Sequence, residues 1–252
     1  MKILEISKYL IFDKQIKLLL MGKDLDNRYF ITLNKDKIIF SYLNKKNKIS
    51  FTMSHILKNG LNNLFEDLEK FFIDNLINIE KSLKDFIRKI YIILDTDDSL
   101  SAHLSIKYKL ETEKINENKI NELLSYLKNQ FNKYSNDQKV IHMTIIKVLI
   151  DGKEKDLSLI RETFDNSILE VKFECLKKQT VHSIDKLCSN YQISVEKILL
   201  ADHLRQSSLN QTENIVFLAN KFLNGEDNKE VSWISKKPIK RGFFEKFFNF
   251  FN

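Results

Sequence analysis

Residues 28–52, RYFITLNKDKIIFSYLNKKNKISFT, hold three runs of β-branched and aromatic residues, Arg28–Leu33, Ile38–Tyr42 and Ile49–Thr52. Charged, Asn-rich breaks separate them. Runs of that length and composition, punctuated by turn formers, read as consecutive strands of a meander. Two further strands are expected upstream, over Ile3–Phe12 and Ile16–Leu20. Downstream, Leu61, Leu64, Phe65, Leu68, Phe71 and Phe72 recur at three-and-four spacing, the buried face of a helix that follows Gly60.

The same reading continues along the chain. Ile90–Leu94 is a continuous apolar strand, and Leu104, Ile106, Tyr108 and Leu110 alternate as a second strand expected to pair with it. Ile120, Leu123, Leu124, Leu127 and Phe131 mark a helix, and Val140–Ile150 a long strand ending at Asp151-Gly152. With the helix after Gly60, and counting the last meander strand, these predict a series close to β-α-β-β-α-β. Leu169, Val171, Phe173 and Cys175 then alternate as a strand, Val181, Ile184, Leu187 and Cys188 mark a helix, and Val195–Leu200 forms another strand. The folded body is expected to end near Leu204, with a short helix over Asn214–Leu223 and a linker over Asn224–Lys237.

Composition narrows the class. The 252 residues are 43% hydrophobic, enough to bury a core, and five glycines and one proline favour regular elements over low complexity. Cys175 and Cys188 fall on apolar faces and give no disulfide framework. Charges interrupt MKILEISKYLIFDKQIK too early for a signal-peptide core, and no run approaches the roughly 18 apolar residues of a membrane span. A cytoplasmic protein is therefore expected. The formal net charge of +7 admits nucleic acid or anionic lipid as partner. Basic residues are interspersed with acidic ones, with the clearest local excess at Lys236, Lys237, Lys240 and Arg241, which favours lipid over nucleic acid.

That excess adjoins the most specific local signal in the chain. Phe243, Phe244, Phe247, Phe248 and Phe251 share one stripe of a helix, with Lys240, Arg241 and Lys246 placed to reach anionic headgroups. Five buried phenylalanines give a gross gain on the order of 10 kcal/mol, most of which the ordering of about ten residues cancels. A single copy should bind weakly and reversibly, and firm attachment needs several tails on one assembly. The stripe could also dock in a partner's groove or on the protein's own core.

Signatures of chemistry are sparse. The glycines are too dispersed for a phosphate-cradling loop, and neither GxxxxGK[ST] nor GxGxxG occurs, so no cofactor is expected. No HxxxH or CxxC pair suggests a metal site, and no GxSxG elbow suggests a serine nucleophile. Asp95-Thr96-Asp97-Asp98 directly follows an apolar strand and resembles the strand-DxD opening of haloacid-dehalogenase-type phosphatases. Asp95 and Asp97 could bind Mg²⁺ and present a nucleophile. The alternative is an acidic turn between two antiparallel strands.

In the order of its elements the chain resembles the bacterial cell-division protein family FtsA, actin-like membrane tethers of the division ring. The resemblance rests on the meander and the turn Lys58-Asn59-Gly60 before a helix, and on Val140-Ile141-His142 with Ile150-Asp151-Gly152. A strand-helix-strand over Leu169–Leu200 and a linker with an amphipathic tail complete it. It implies an α+β fold: a reduced actin-like lobe (1–61 and 167–204) carrying an inserted SHS2-type subdomain (62–166), then a short helix and linker (205–237) and a membrane-targeting helix (238–252). The phosphate-binding acidic-Gly-Thr signature and the second actin lobe have no counterpart here. The implied function is a non-enzymatic, self-associating adaptor on the cytoplasmic face of the inner membrane. It would bind the anionic membrane surface and an FtsZ-like division protein, with no nucleic acid partner.

Overall fold

The computed structural model describes residues 27–57, 63–109, 117–154, 166–208 and 212–225. The expected strands before residue 27 and the Phe-rich tail lie outside them. Three antiparallel strands, β1 (Arg28–Leu33), β2 (Lys37–Leu43) and β3 (Ile49–Ile56), form the meander. Asparagine side chains close both turns. Asn34 Oδ1 accepts from the backbone N–H groups of Asp36 (3.1 Å) and Lys37 (2.8 Å). Asn44 Oδ1 accepts from those of Lys46 (2.9 Å) and Lys48 (3.1 Å), while Asn47 takes the left-handed φ of 55° that Asn tolerates.

Strands β4 (Lys89–Leu94) and β9 (Ser194–Leu200) extend this sheet on the β1 side, both parallel to β1, giving the order β3-β2-β1-β4-β9. One face is covered by α1 (Leu64–Leu83) and α3 (Lys178–Asn190), whose Leu68, Phe71, Ile184 and Cys188 pack on Ile31, Leu33, Ile90 and Ile92. The other face is covered by α4 (Ala201–Ser207) and α5 (Ile215–Leu223), through Leu204, Val216, Leu218 and Phe222 against Phe30, Ile93 and Leu199. Burial on both faces explains why β4 reads as an unbroken apolar run from Ile90 to Leu94.

Between β4 and β9 the chain builds a second sheet from β5 (Leu100–Lys109), β6 (Gln138–Ile150), β7 (Lys153–Glu154) and β8 (Asn166–Lys177), in the order β5-β8-β6-β7. Strand β8 runs antiparallel to both neighbours, so β5 and β6 are parallel and are joined across it by α2 (Glu117–Tyr134). Leu123, Leu124, Leu127 and Phe131 of that helix cover Ile145, Val171 and Phe173. The β6–β7 turn places Asp151 (φ 46°) and Gly152 (φ 78°) in the left-handed region, as a two-residue hairpin requires.

Three expectations change. Strand β4 does not pair with the alternating strand after it: β1 and β9 occupy both its edges, and β5 alternates because its own sheet has helical cover described on one face. Helix α1 and β4, expected within the inserted unit, belong to the first sheet, while the strand at Leu169–Cys175, expected in the lobe, lies in the middle of the second. The expected β-α-β-β-α-β order is present along the chain as β3-α1-β4-β5-α2-β6, but it is divided between the two sheets, and the described second sheet runs β5-α2-β6-β7-β8 with one helix. Finally, the folded body continues past Leu204, because α5 buries Val216, Leu218, Ala219 and Phe222 on the first sheet. Among the described residues no helix is long and apolar enough to cross a membrane.

Candidate functional site at the junction of the sheets

The carboxyl end of β9 meets β6 of the second sheet, and polar side chains are buried where they touch. A register shift between Val140 and His142 places His142 opposite Glu174 of β8. His142 is 1% exposed, and its Nε2 accepts the backbone N–H of Leu200 at 3.0 Å. Its ring stacks on that of His203 from α4, centroids 3.9 Å apart and planes 9° from parallel. Phe222 of α5 meets both rings edge-on, at 5.4 and 5.5 Å. His203 Nδ1 lies 2.5 Å from Glu174 Oε2.

Glu174 Oε1 accepts from Lys172 Nζ at 2.9 Å, and the same ammonium reaches Gln206 Oε1 at 3.1 Å. Burial pushes the Glu174 carboxyl up, but hydrogen bonds from His203 and Lys172, with their charges, overcome this and hold it at about 2. An ionised Glu174 fixes the His203 proton on Nδ1, and the Leu200 donor fixes the free lone pair of His142 on Nε2. These contacts tie two strands of one sheet to the strand end and helix of the other. A shallow groove of about 230 Å³ beside them, between β6 and β9, is lined by Val140, Ile141, Val195 and Lys197 among others.

The acidic string lies at the carboxyl end of β4, where open sheets commonly bind ligands. Its carboxylates already have partners. Asp95 accepts from both Nη1 (3.2 Å) and Nη2 (2.8 Å) of Arg205, which also donates to Asp202 at 3.1 Å. Asp97 pairs with Lys35 of the β1–β2 turn, and Thr96 Oγ1 accepts the N–H of Asp98 at 3.1 Å. The string is a turn, though one that passes from one sheet to the other rather than joining a hairpin. Among the described residues no three His, Cys, Asp or Glu side chains are grouped to hold a metal ion. Burial pushes the thiols of Cys175 and Cys188 up to about 12, which keeps them protonated.

Phe243, Phe244, Phe247, Phe248, Phe251, Lys240, Arg241 and Lys246 all lie outside the described residues. The histidine junction carries no spacing motif: His142, in an apolar strand, and His203, in the mixed stretch Ala201–Gln206, are 61 positions apart. No family model and no curated protein matches the chain. Solved structures similar to it include Cyto-EpsL, the cytoplasmic domain of EpsL, an inner membrane component of the type II secretion system of Vibrio cholerae (12% identity, 71% of this chain and 59% of that one, TM-score 0.37). The PilM-PilN type IV pilus biogenesis complex is another (7%, 72% and 49%, 0.44). A third is a Bacteroides thetaiotaomicron protein with an actin-like ATPase fold and unknown function (14%, 75% and 60%, 0.32). The chain thus spans less than two thirds of each of these structures.

Proposed function

We propose that this protein is a non-catalytic peripheral membrane adaptor with a reduced actin-like lobe, of the FtsA type, serving the bacterial division machinery. The observation that carries the reading is topological. An antiparallel meander, β3-β2-β1, continues into two parallel strands, β4 and β9, and a whole second sheet is inserted between those two. A lobe interrupted by an inserted unit is the arrangement that the resemblance to FtsA implies. The inserted sheet is the lateral-association unit in this reading, and the stripe Phe243, Phe244, Phe247, Phe248 and Phe251 is the tether.

The chemistry supports an adaptor over the phosphatase alternative. Asp95 is clamped by a guanidinium and Asp97 by an ammonium, so neither is poised as a nucleophile. The mechanism is avidity: weak tails on an assembled array hold a division-ring partner, an FtsZ-like protein, against the inner membrane. Co-sedimentation of the full chain and of a truncation ending at Lys237 with anionic vesicles tests it.

A further inference from the structure

The first sheet is electrically polarised from end to end. At the amino ends of β1 and β4, the β2–β3 turn presents exposed Lys45, Lys46 and Lys48, helix α1 closes on Lys84, and β4 is entered through exposed Arg88 and Lys89. The carboxylates there are engaged: Asp85 accepts from Tyr29 Oη at 2.5 Å, and Glu196 lies 3.4 Å from Lys89. Lys45, Lys46, Lys48, Lys84 and Arg88 make no ion pair with another described residue. The opposite end carries Asp36, Asp95, Asp97, Asp98 and Asp202 against Lys35, Lys37 and Arg205, so carboxylates outnumber cations there.

The basic end also carries an apolar element and a cleft. Phe86 is 73% exposed and stands with Arg28, Lys45, Arg88 and Tyr91 around an open cleft of about 390 Å³. An exposed phenylalanine beside exposed lysine and arginine side chains is the surface composition that partitions into an anionic lipid interface.

The last described residues, Asn224 and Gly225, follow α5 at this same end. Arg28 Nη1 donates to Asn224 Oδ1 at 2.9 Å and pairs with Asn220 Oδ1, while Asn220 Nδ2 donates to Asn47 Oδ1 of the β2–β3 turn at 3.2 Å. From Gly225 to Phe243 are 18 positions. Eighteen residues span at most about 60 Å. A tail lying on a membrane would therefore hold the basic end close to the same surface.

We infer that the amino end of the first sheet, centred on Lys45, Arg88 and Phe86, is a second membrane contact that binds anionic lipid headgroups and sets the orientation of the folded body. It rests on the membrane reading proposed above. The two contacts act as a bivalent pair, each raising the local concentration of the other. Each basic residue at an anionic surface contributes roughly fivefold in partition.

The experiment is co-sedimentation of the full chain with phosphatidylcholine vesicles, with and without phosphatidylserine. K45E/R88E is compared with K37E/K70E, which makes the same charge change on exposed residues of the first-sheet unit away from its amino end. F86S and a truncation ending at Lys237 complete the set, and melting temperatures check that all remain folded. The inference expects K45E/R88E to weaken binding to anionic vesicles by more than tenfold, F86S by several-fold and K37E/K70E by less than twofold. If K45E/R88E binds like K37E/K70E while the truncation abolishes binding, the tail is the whole contact and this inference falls with the tether intact. If the unaltered full chain does not bind, both readings fall.

Discussion

His142 of β6 and His203 of α4 stack face to face, 3.9 Å between centroids and 9° between planes, and so join the two sheets through buried imidazoles. Each ring is held in place by a hydrogen bond to the opposite sheet's elements: His142 accepts from Leu200 of β9, and His203 bonds Glu174 of β8. Removing either ring leaves a buried polar group without its partner and a void beside Phe222.

His142→Ala is accordingly expected to destabilise the protein by about 2–4 kcal/mol, from the cavity and from the orphaned Leu200 N–H. Urea unfolding of the variant measures it. A loss below about 1 kcal/mol, the range of a surface substitution, would show that the junction contributes little.

Acid stability should follow Glu174. Its folded value of about 2 lies below the ordinary 4.5, so the folded protein binds this proton less readily than the unfolded chain does. Its contribution is complete above pH 4.5 and drains away as the pH falls from there through about 2. Glu174→Gln removes this titration, so the unfolding free energy of the variant should fall less steeply with acid over that window. Parallel acid limbs for the two proteins would mean that Glu174 is not held by His203 and Lys172 in solution.

Asp95→Asn separates the two readings of the acidic string. Where Asp95 serves only to hold Arg205, the change weakens a half-exposed pair and costs about 0.5–1 kcal/mol, read as a small fall in melting temperature. A phosphatase would instead lose a Mg²⁺-dependent activity on p-nitrophenyl phosphate. Turnover by the unaltered protein that Asp95→Asn abolishes would restore the enzyme reading.

The meander is legible in the sequence because each strand is short and each turn carries its own asparagine. Asn34 and Asn44 bond the very backbone groups that must turn. Helices α1, α2 and α3 are equally plain from their three-and-four apolar spacing. Sheet membership is harder to read, since β4 and β5 adjoin in sequence while their partners, β9 and β8, come some 70 to 100 residues later. The pattern does hold a hint: β4 is apolar on both faces and β5 alternates, a difference between a central parallel strand and one of a sheet covered on a single side. Helix α5 reads as an amphipathic piece, but only its burial against the sheet face around Phe30 and Ile93 makes it part of the body. Nothing local announces the histidine junction. Its members come from β6, β8, β9 and α4, and only the folded topology brings them within hydrogen-bonding distance.

The central claim is a membrane tether, and vesicle co-sedimentation tests it most directly. The full chain and a form ending at Lys237 are each spun with anionic and with neutral vesicles. The account predicts that the full chain pellets, with preference for anionic lipid, and that the shortened form pellets far less. A full chain that stays in the supernatant with both kinds of vesicle would contradict it.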